Sequence, residues 1–327
     1  MLISTAGKGS PVTANASNTS IDIDTVLLRG GALATSLRGQ IRLGRMKLLR
    51  DGGNPPLLVT LAVEANAAAQ AYRASIDKTM KRVDIEHRPI DLPAGCSSSE
   101  LEIVLAELSA DPDVTGVLVL MPLPGRIDRA IVSEQLSPLK DVDGVTMINA
   151  GRLHLGLPCL APSTPSGGIA LLDHYDVPID GAHAVVVGRS NVVGRPLAAL
   201  LQRRDATVTV CHSRTRDLAA FTREADIVAL AIGNPGFLTR EHIRPGATVL
   251  DFGINVLGDR IVGDAEFEGL QGVAGAITPV PGGTGPITAL MLARNTIAAG
   301  IAGLYNDLDS IPPFERWQWE APSEAGN

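Results

Sequence analysis

Residues 184–196 read AVVVGRSNVVGRP, and they constrain the fold more than any other stretch of the chain. A short, wholly apolar, β-branched run ends at Gly188, a loop carries Arg189, Ser190 and Asn191, and Gly194 opens an apolar helical pattern over 197–201. The order strand, glycine turn, helix start belongs to layered α/β proteins. It is also the arrangement that binds a dinucleotide pyrophosphate, because glycines let backbone approach phosphate and a helix start offers unpaired N–H groups with partial positive charge. The spacing departs from G-x-G-x-x-G, and ligand-free turns of this kind are common. The stretch alone leaves both readings open.

The next strand and its end favour the nucleotide. Residues 206–211 (ATVTVC) read as that strand, and a ribose-binding residue belongs at its end, about 20 residues after the glycine turn. A site for NAD would place Asp or Glu there, whereas this chain offers His212, Ser213 and Arg214. A hydroxyl and a guanidinium suit a 2′-phosphate, and Arg189 in the glycine loop is placed to reach the same group. The loop chemistry points to NADP.

The chain has 327 residues, enough for two domains. Apolar residues make up 45% but aromatics only 3%, so the core must be aliphatic, which fits α/β layers. A net charge of −7 counts against a nucleic acid or an anionic membrane as the main partner. No apolar run approaches the roughly 20 residues of a membrane helix. Cys96, Cys159 and Cys211 are far apart and odd in number, which indicates neither a disulfide framework nor a metal site and places the protein in a reducing, cytoplasmic setting. There are only five lysines, Lys8, Lys47, Lys78, Lys81 and Lys140.

Residues 1–25, rich in Ser, Thr, Asn and Gly, read as a disordered tail rather than a transit peptide. Helical spacing over 37–49 stops at Gly52 and Gly53, and 57–63 is a buried strand. A helix over 66–81, a strand over 83–90, a helix capped by Ser98 or Ser99 and a strand over 114–121 complete an α/β layer before the glycine turn. A helix over 167–175 comes next, then, after the two central strands, strands over 226–232 and 248–253. Residues 278–288 (TPVPGGTGPIT) are dense in turn formers, and 287–304 is the last good helix. Trp317 and Trp319 in the tail are read as packing onto a neighbour.

Taken together, PLP at 122–124, KDVDG at 140–144 with NAGRL at 149–153, Thr164-Pro165 with Gly167, VVGRSNVVGRP at 186–196, DFGIN at 251–255, VGD at 262–264 and TPVPGGTGPIT resemble the bifunctional methylenetetrahydrofolate dehydrogenase/cyclohydrolase family. The resemblance runs from about residue 37 to 304. It implies an N-terminal α/β substrate domain (26–160), a Rossmann-type parallel-sheet cofactor domain (161–286), a final helix (287–305) packed back on the first, a C-terminal extension (306–327) and a homodimer binding folate between the domains. By the same likeness, the cofactor residues are Gly188, Arg189, Ser190, Val193, Gly194, His212, Ser213, Arg214, Gly233, Ile254 and Thr288. The substrate residues are Tyr72, Asp143, Pro281, Gly282 and Gly283.

The family's cleft carries Tyr-x-x-x-Lys on a helix, a Gln before the proline turn and the second Asp of DVDG. Tyr72 and Asp143 match. The lysine position is Ile76 and the glutamine position Leu120, so the residues that handle water and protons in the hydrolytic step are replaced. Lys78, two positions further round the helix, is off the shared face. Glu64, Ala67, Ala69 and Arg73 are further departures near the same cleft. The expectation is NADP-dependent oxidation of 5,10-methylenetetrahydrofolate with cyclohydrolase activity lost or strongly reduced. The alternatives are another pterin or one-carbon adduct as substrate, and a non-catalytic folate-binding partner.

Overall fold

The computed structural model describes residues 23–312. In chain order the elements are β1 (Val26–Leu27), α1 (Gly30–Arg50), β2 (Leu57–Val63), α2 (Ala67–Arg82), β3 (Glu86–Leu92), α3 (Ser98–Ala110), β4 (Gly116–Val119), α4 (Ala130–Gln135), α5 (Met147–His154) and α6 (Ser163–His174). Then come β5 (His183–Val187), α7 (Gly194–Gln202), β6 (Thr207–Cys211), α8 (Leu218–Thr222), β7 (Ile227–Leu230), β8 (Thr248–Asp251), a hairpin of β9 (Asn255–Leu257) and β10 (Arg260–Val262), α9 (Phe267–Leu270), β11 (Ala276–Ile277) and α10 (Gly285–Tyr305). Two parallel sheets with helices packed on them give the expected two-domain α/β architecture.

The first sheet has the order β3-β2-β4, and all seven residues of the central β2 are buried. A strand covered on both faces reads as a continuous apolar run, as this one does. Asn66 starts α2 by accepting from the Ala69 N–H at 2.9 Å. The cap of α3 is Ser97 rather than Ser98 or Ser99. Its hydroxyl accepts from the Glu100 N–H while the Glu100 carboxylate accepts from the Ser97 N–H, so two orphan donors are satisfied reciprocally.

The second sheet has the order β1-β11-β8-β7-β5-β6. In the unit that begins at β5, the chain first adds β6 on one side and then β7 on the other. That reversal opens a crevice at the carboxyl ends of β5 and β7.

The ends of the chain depart from expectation. Residues 1–22 lie outside the described residues, as do Trp317 and Trp319. Ile23, however, bridges to Gly272, the Thr25 hydroxyl donates to the Ala274 carbonyl at 2.7 Å, and β1 pairs in parallel with β11. Residues 23–27 thus form an edge of the second sheet, and a two-residue pairing is too short to show as periodicity. Helix α1 also begins earlier than residue 37. Gly30 is buried where a Cβ would stand 2.4 Å from the Gly283 carbonyl oxygen, so its glycine serves close packing and does not break the helix.

Helix α10 is a second correction. With 21 residues and a mean hydropathy of 1.4 it is long and apolar enough to cross a membrane. Its burial explains the composition. Ile287 and Met291 join the core of the second domain beside Leu172 and Leu197, and Leu290, Ala293 and Ile297 join that of the first beside Ile41 and Leu58. Helix α1 does the same, giving Leu33 to one core and Ile41 and Leu48 to the other.

Glu64, the residue after β2, has φ +55°. A side chain in the left-handed region costs about 1–2 kcal/mol, of which a glycine's extra unfolded-state freedom offsets about 0.5–1. Glu64→Gly is therefore expected to raise Tm by about 1–3 °C in a calorimetric scan. An unchanged or lower Tm would show that the 3.6 Å approach of Glu64 to Arg126 outweighs the strain.

Candidate active site

The glycine loop leaves β5 at Gly188, whose φ is +126° and where a Cβ would lie 2.5 Å from the Ala231 carbonyl oxygen. A Cβ on Gly194 would lie 2.2 Å from the carbonyl oxygen of Gly188 itself. Both glycines are thus required by the loop's packing on its own backbone and on the end of β7, a constraint that holds before any ligand is considered. The Ser190 hydroxyl accepts from the Val193 N–H at 3.1 Å and from the Gly194 N–H at 3.4 Å, capping the start of α7. Arg189 and Ser190 are exposed.

After β6, the His212 ring Nδ1 accepts from the Arg214 N–H at 3.1 Å, and the Thr215 hydroxyl accepts from the His212 N–H at 2.8 Å. This turn leaves Ser213 and Arg214 exposed. Neither Arg189 nor Arg214 is paired with a carboxylate among the described residues.

Gly233 follows β7 and is held by a residue to which the sequence motifs assign no role. One carboxylate oxygen of the buried Asp264 accepts from the N–H groups of Ile232 (2.8 Å) and Gly233 (3.0 Å). The other accepts from the Asn234 N–H and the Asn255 side-chain amide, both at 2.9 Å. Asp251 in turn accepts from the N–H groups of Gly253 (2.8 Å), Asp264 (3.0 Å) and Ala265 (2.8 Å), and burial pushes its carboxyl above the usual range. The DFGIN and VGD motifs therefore fold the loops around two buried carboxylates. Ile254 is 72% exposed at the base of the hairpin. Thr288 is half-buried in α10, and its hydroxyl donates to the Thr284 carbonyl at 3.3 Å.

On the first domain, Tyr72 stands on α2 with over a third of its surface exposed. Burial of the phenol, together with the nearby charge of Asp143, raises its pKa well above 10. Asp143 accepts from the Ser163 hydroxyl at 2.8 Å and N–H at 3.2 Å. Burial pushes its carboxyl up to about 6 against those bonds, with the buried Asp141 adding to the rise. Ser163, at the start of α6, is a further residue that the motifs do not single out. Asp141 belongs to the scaffold, accepting from Val145, Thr146 and Asn149 at 2.7–3.0 Å.

Ile76 is fully buried one helical turn beyond Tyr72, and Leu120, at 6% exposure, lies in the same apolar cluster with Leu58, Ala62 and Met80. Pro281, Gly282 and Gly283 form the loop before α10, and the Gly282 carbonyl accepts from the Gly30 N–H at 2.9 Å. Tyr72 and Asp143 are near enough for the carboxylate's charge to act on the phenol, and Ile76 and Leu120 fall in one buried apolar cluster. Arg73 pairs with Asp91 of β3 through two bonds of 2.7 and 2.8 Å.

A parallel sheet with its glycine loop at the switch point, joined to a smaller parallel layer carrying a tyrosine–carboxylate pair, defines a two-domain α/β nucleotide-binding enzyme. Comparison with known proteins sharpens this. Residues 28–143 match the tetrahydrofolate dehydrogenase/cyclohydrolase catalytic domain, and residues 162–302 match the NAD(P)-binding domain of the same family. The bifunctional protein FolD of Chloroflexus aurantiacus is 48% identical over 274 residues, 84% of this chain and 96% of that relative. The crystal structure of the bifunctional FolD dehydrogenase/cyclohydrolase of Campylobacter jejuni superposes with a TM-score of 0.81 at 37% identity, covering 84% and 98% of the two chains. That of Trypanosoma brucei FolD, complexed with NADP cofactor and inhibitor, gives 0.80 at 34% identity, covering 84% and 97%. The chain belongs to the tetrahydrofolate dehydrogenase/cyclohydrolase family.

Asp264 offers a direct test of how the nucleotide side is built. Asp264→Asn keeps the shape but puts an N–H donor against backbone donors, at a cost of about 1.5–3 kcal/mol. NADP⁺ binding, followed by titration calorimetry, is expected to weaken by about tenfold or more. Unchanged affinity in a folded variant would show that the 232–234 loop does not contact the cofactor.

Proposed function

We propose that this chain is an NADP-dependent dehydrogenase that oxidises 5,10-methylenetetrahydrofolate to the methenyl form and has lost, or nearly lost, the cyclohydrolase step. The observation that carries the second half is the burial of Ile76, one helical turn beyond Tyr72, and of Leu120 in one apolar cluster.

Arg189, Ser213 and Arg214 fit a 2′-phosphate, since two unpaired guanidinium groups and a hydroxyl stand exposed at the ends of β5 and β6. Gly188, Ser190, Val193 and Gly194 line the pyrophosphate side, and Gly233, Ile254 and Thr288 the remainder. When bound, NADP⁺ supplies the hydride acceptor. The carbon oxidised lies between two nitrogens that share the positive charge left behind, so the protein must position the folate and need not provide a base. Asp143, ionised above about pH 6, accepts hydrogen bonds from the pterin's N–H donors. Tyr72 keeps its proton through the physiological range and serves as a neutral donor and ring contact. Pro281, Gly282 and Gly283 close the other side of the folate.

Opening the methenyl ring requires a water to be activated and protons to be moved, work worth about 10²–10⁴-fold in rate. Neither Ile76 nor Leu120 has an atom for it. No lysine among the described residues stands in. Lys47 pairs with Asp51 and Lys81 with Asp77, Lys140 donates to the carbonyls of Leu108 and Asp111, and Lys78 is exposed. Lys8 is outside the described residues.

With 5,10-methylenetetrahydrofolate and NADP⁺, absorbance recorded without acid quench is expected to show methenyl product accumulating in step with NADPH and decaying no faster than in buffer. Ile76→Lys with Leu120→Gln is expected to bring hydrolysis back. Faster decay with the unmodified protein overturns the loss. No hydrolysis by a folded double variant overturns its explanation. NADP⁺ binding without any NADPH would mean that the cleft acts on another pterin or one-carbon adduct, and no binding would favour a non-catalytic folate-binding partner.

The pH profile tests Asp143. Its carboxylate is present above about pH 6 and lost below, so the KM for folate is expected to rise as pH falls through that value. Asp143→Asn should raise KM at neutral pH by about tenfold or more and flatten the profile. A KM that stays level through pH 6 in the unmodified protein would remove Asp143 from the pterin site.

A further inference from the structure

Helix α5 carries an exposed apolar strip on its outer side. Ile148 and Leu155, the helix C-cap, are 52% and 76% exposed and stand seven positions apart, so they share a face, with Gly151 and Arg152 between them. A Cβ on Gly151 would meet nothing within 4 Å, so the strip is flat and open there. Leu157, 41% exposed, is turned back to the same end of the helix by its N–H, which donates to the Arg152 carbonyl at 2.9 Å. None of these residues lines the cavity that Met147, Ala150 and His154 share with the glycine loop, and Asn149 and Leu153 are buried. Single exposed apolar residues are ordinary, whereas three around one helix end mark a surface that another segment covers.

The chain itself arrives at this strip. Asp309 pairs with Arg152, in the middle of it, and Arg152 also donates through Nε to the Pro158 carbonyl at 2.6 Å. Ile311 is buried in one apolar cluster with Leu160, and the described residues end at Pro312. The sequence continues over 313–327 as PFERWQWEAPSEAGN. That segment holds Phe314 and both tryptophans of a chain that is only 3% aromatic. Its Glu315, Glu320 and Glu324 outnumber Arg316, which suits a strip bordered by Arg152 and by Arg203, whose guanidinium donates to the Leu157 carbonyl at 3.2 Å. An extended chain spans about 3.3–3.6 Å per residue, so residues 313–317 reach about 17 Å, more than the ~12 Å length of α5. The other end of the chain is less suited, since residues 1–22 contain no aromatic side chain.

We propose that residues 313–327 lie across the outer face of α5, with Trp317 and Trp319 covering Ile148, Gly151 and Leu155. The Arg152–Asp309 pair sets where the segment crosses, and the large indole rings supply the apolar area that the strip lacks. The covered helix is one on which the site depends. Its buried Asn149 donates to Asp141 at 2.9 Å, and Asp141 accepts from the N–H groups of Val145 and Thr146 in the turn that carries Asp143. The segment thus braces the KDVDG turn from outside. It lies beyond the residues matched to the family, and the inference is independent of the proposed function.

Both tryptophans lie in the segment, so the emission of the full chain, excited beyond tyrosine absorption, reports on it alone. The native emission should lie well to the blue of the denatured chain's, and iodide should quench it weakly. Ile148→Lys with Leu155→Lys should move the emission to the denatured position, open it to iodide and lower Tm by about 2 °C. Asp309→Lys, which sets like charge against Arg152 and leaves the apolar strip intact, should shift the emission the same way. Ile103→Lys, at an exposed position on α3, should shift nothing. Emission at the denatured position in the folded, unmodified protein overturns the proposal. Blue emission that ignores both the α5 and the Asp309 changes also overturns it, by placing the tryptophans on another surface. Blue emission that moves to the red on dilution overturns it in favour of docking on the α5 of a second copy.

Discussion

One buried amide ties the two halves of the cleft to each other. Asn295, in the middle of α10, donates to the carbonyls of Val142 and Ala161 at 2.8 and 2.7 Å. Val142 precedes Asp143, and Ala161 lies two residues before Ser163. The helix therefore holds both partners of the Asp143–Ser163 bond through backbone that is itself far apart in sequence. An unsatisfied carbonyl in that interior would cost about 1–3 kcal/mol, so the two segments are strongly biased towards the one arrangement that Asn295 completes. Because α10 also gives side chains to both domain cores, the same helix that positions the carboxylate sets how the layers meet.

The nucleotide side uses the same physics with charge in place of an amide. Asp251 and Asp264 are almost wholly buried and accept from backbone N–H groups in the loops after β7 and β8. Burying a carboxylate is expensive, and several charge-assisted bonds are needed to offset it. The arrangement is correspondingly specific, since few other loop conformations satisfy two carboxylates at once. Both sides of the site are thus shaped by buried polar groups bonded chiefly to backbone, and the exposed residues between them inherit their positions.

That division explains what is legible in the sequence. Strands buried on both faces, such as β2 and β5, show as unbroken apolar runs, and the glycine loop, KDVDG and DFGIN are visible as motifs. The residues that make the motifs work are harder to find. Asn295 sits in an apolar helix where nothing in the local pattern marks it, and Ser163 lies just before the helical pattern that shows from residue 167. Gly188 and Gly194 stand out for a sound chemical reason, phosphate approach, yet their geometry is already demanded by the contacts of the loop with itself and with Ala231. Helix α1 is legible only from residue 37 although it begins at Gly30, and α10 is apolar enough for a span yet is buried by two cores. In each case tertiary packing decides what local composition leaves ambiguous.

On the proposed reading, aliphatic residues at the positions of the family's lysine and glutamine have a consequence beyond the loss of two functional groups. A lysine at the Ile76 position would need either water or a counter-charge around its ammonium, because an ionised group without them is strongly disfavoured in an apolar interior. With Ile76 fully buried and Leu120 in the same cluster, that part of the cleft wall can close without either. On the proposed reading such a wall would be drier and would remove the nucleophile as well as the groups that activate it. It leaves hydride loss untouched, since the charge that develops there is carried by the folate's own nitrogens. On the proposed reading the two reactions of the family separate because they make opposite demands on water. Two apolar substitutions in one cluster are then enough to keep the first reaction and stop the second.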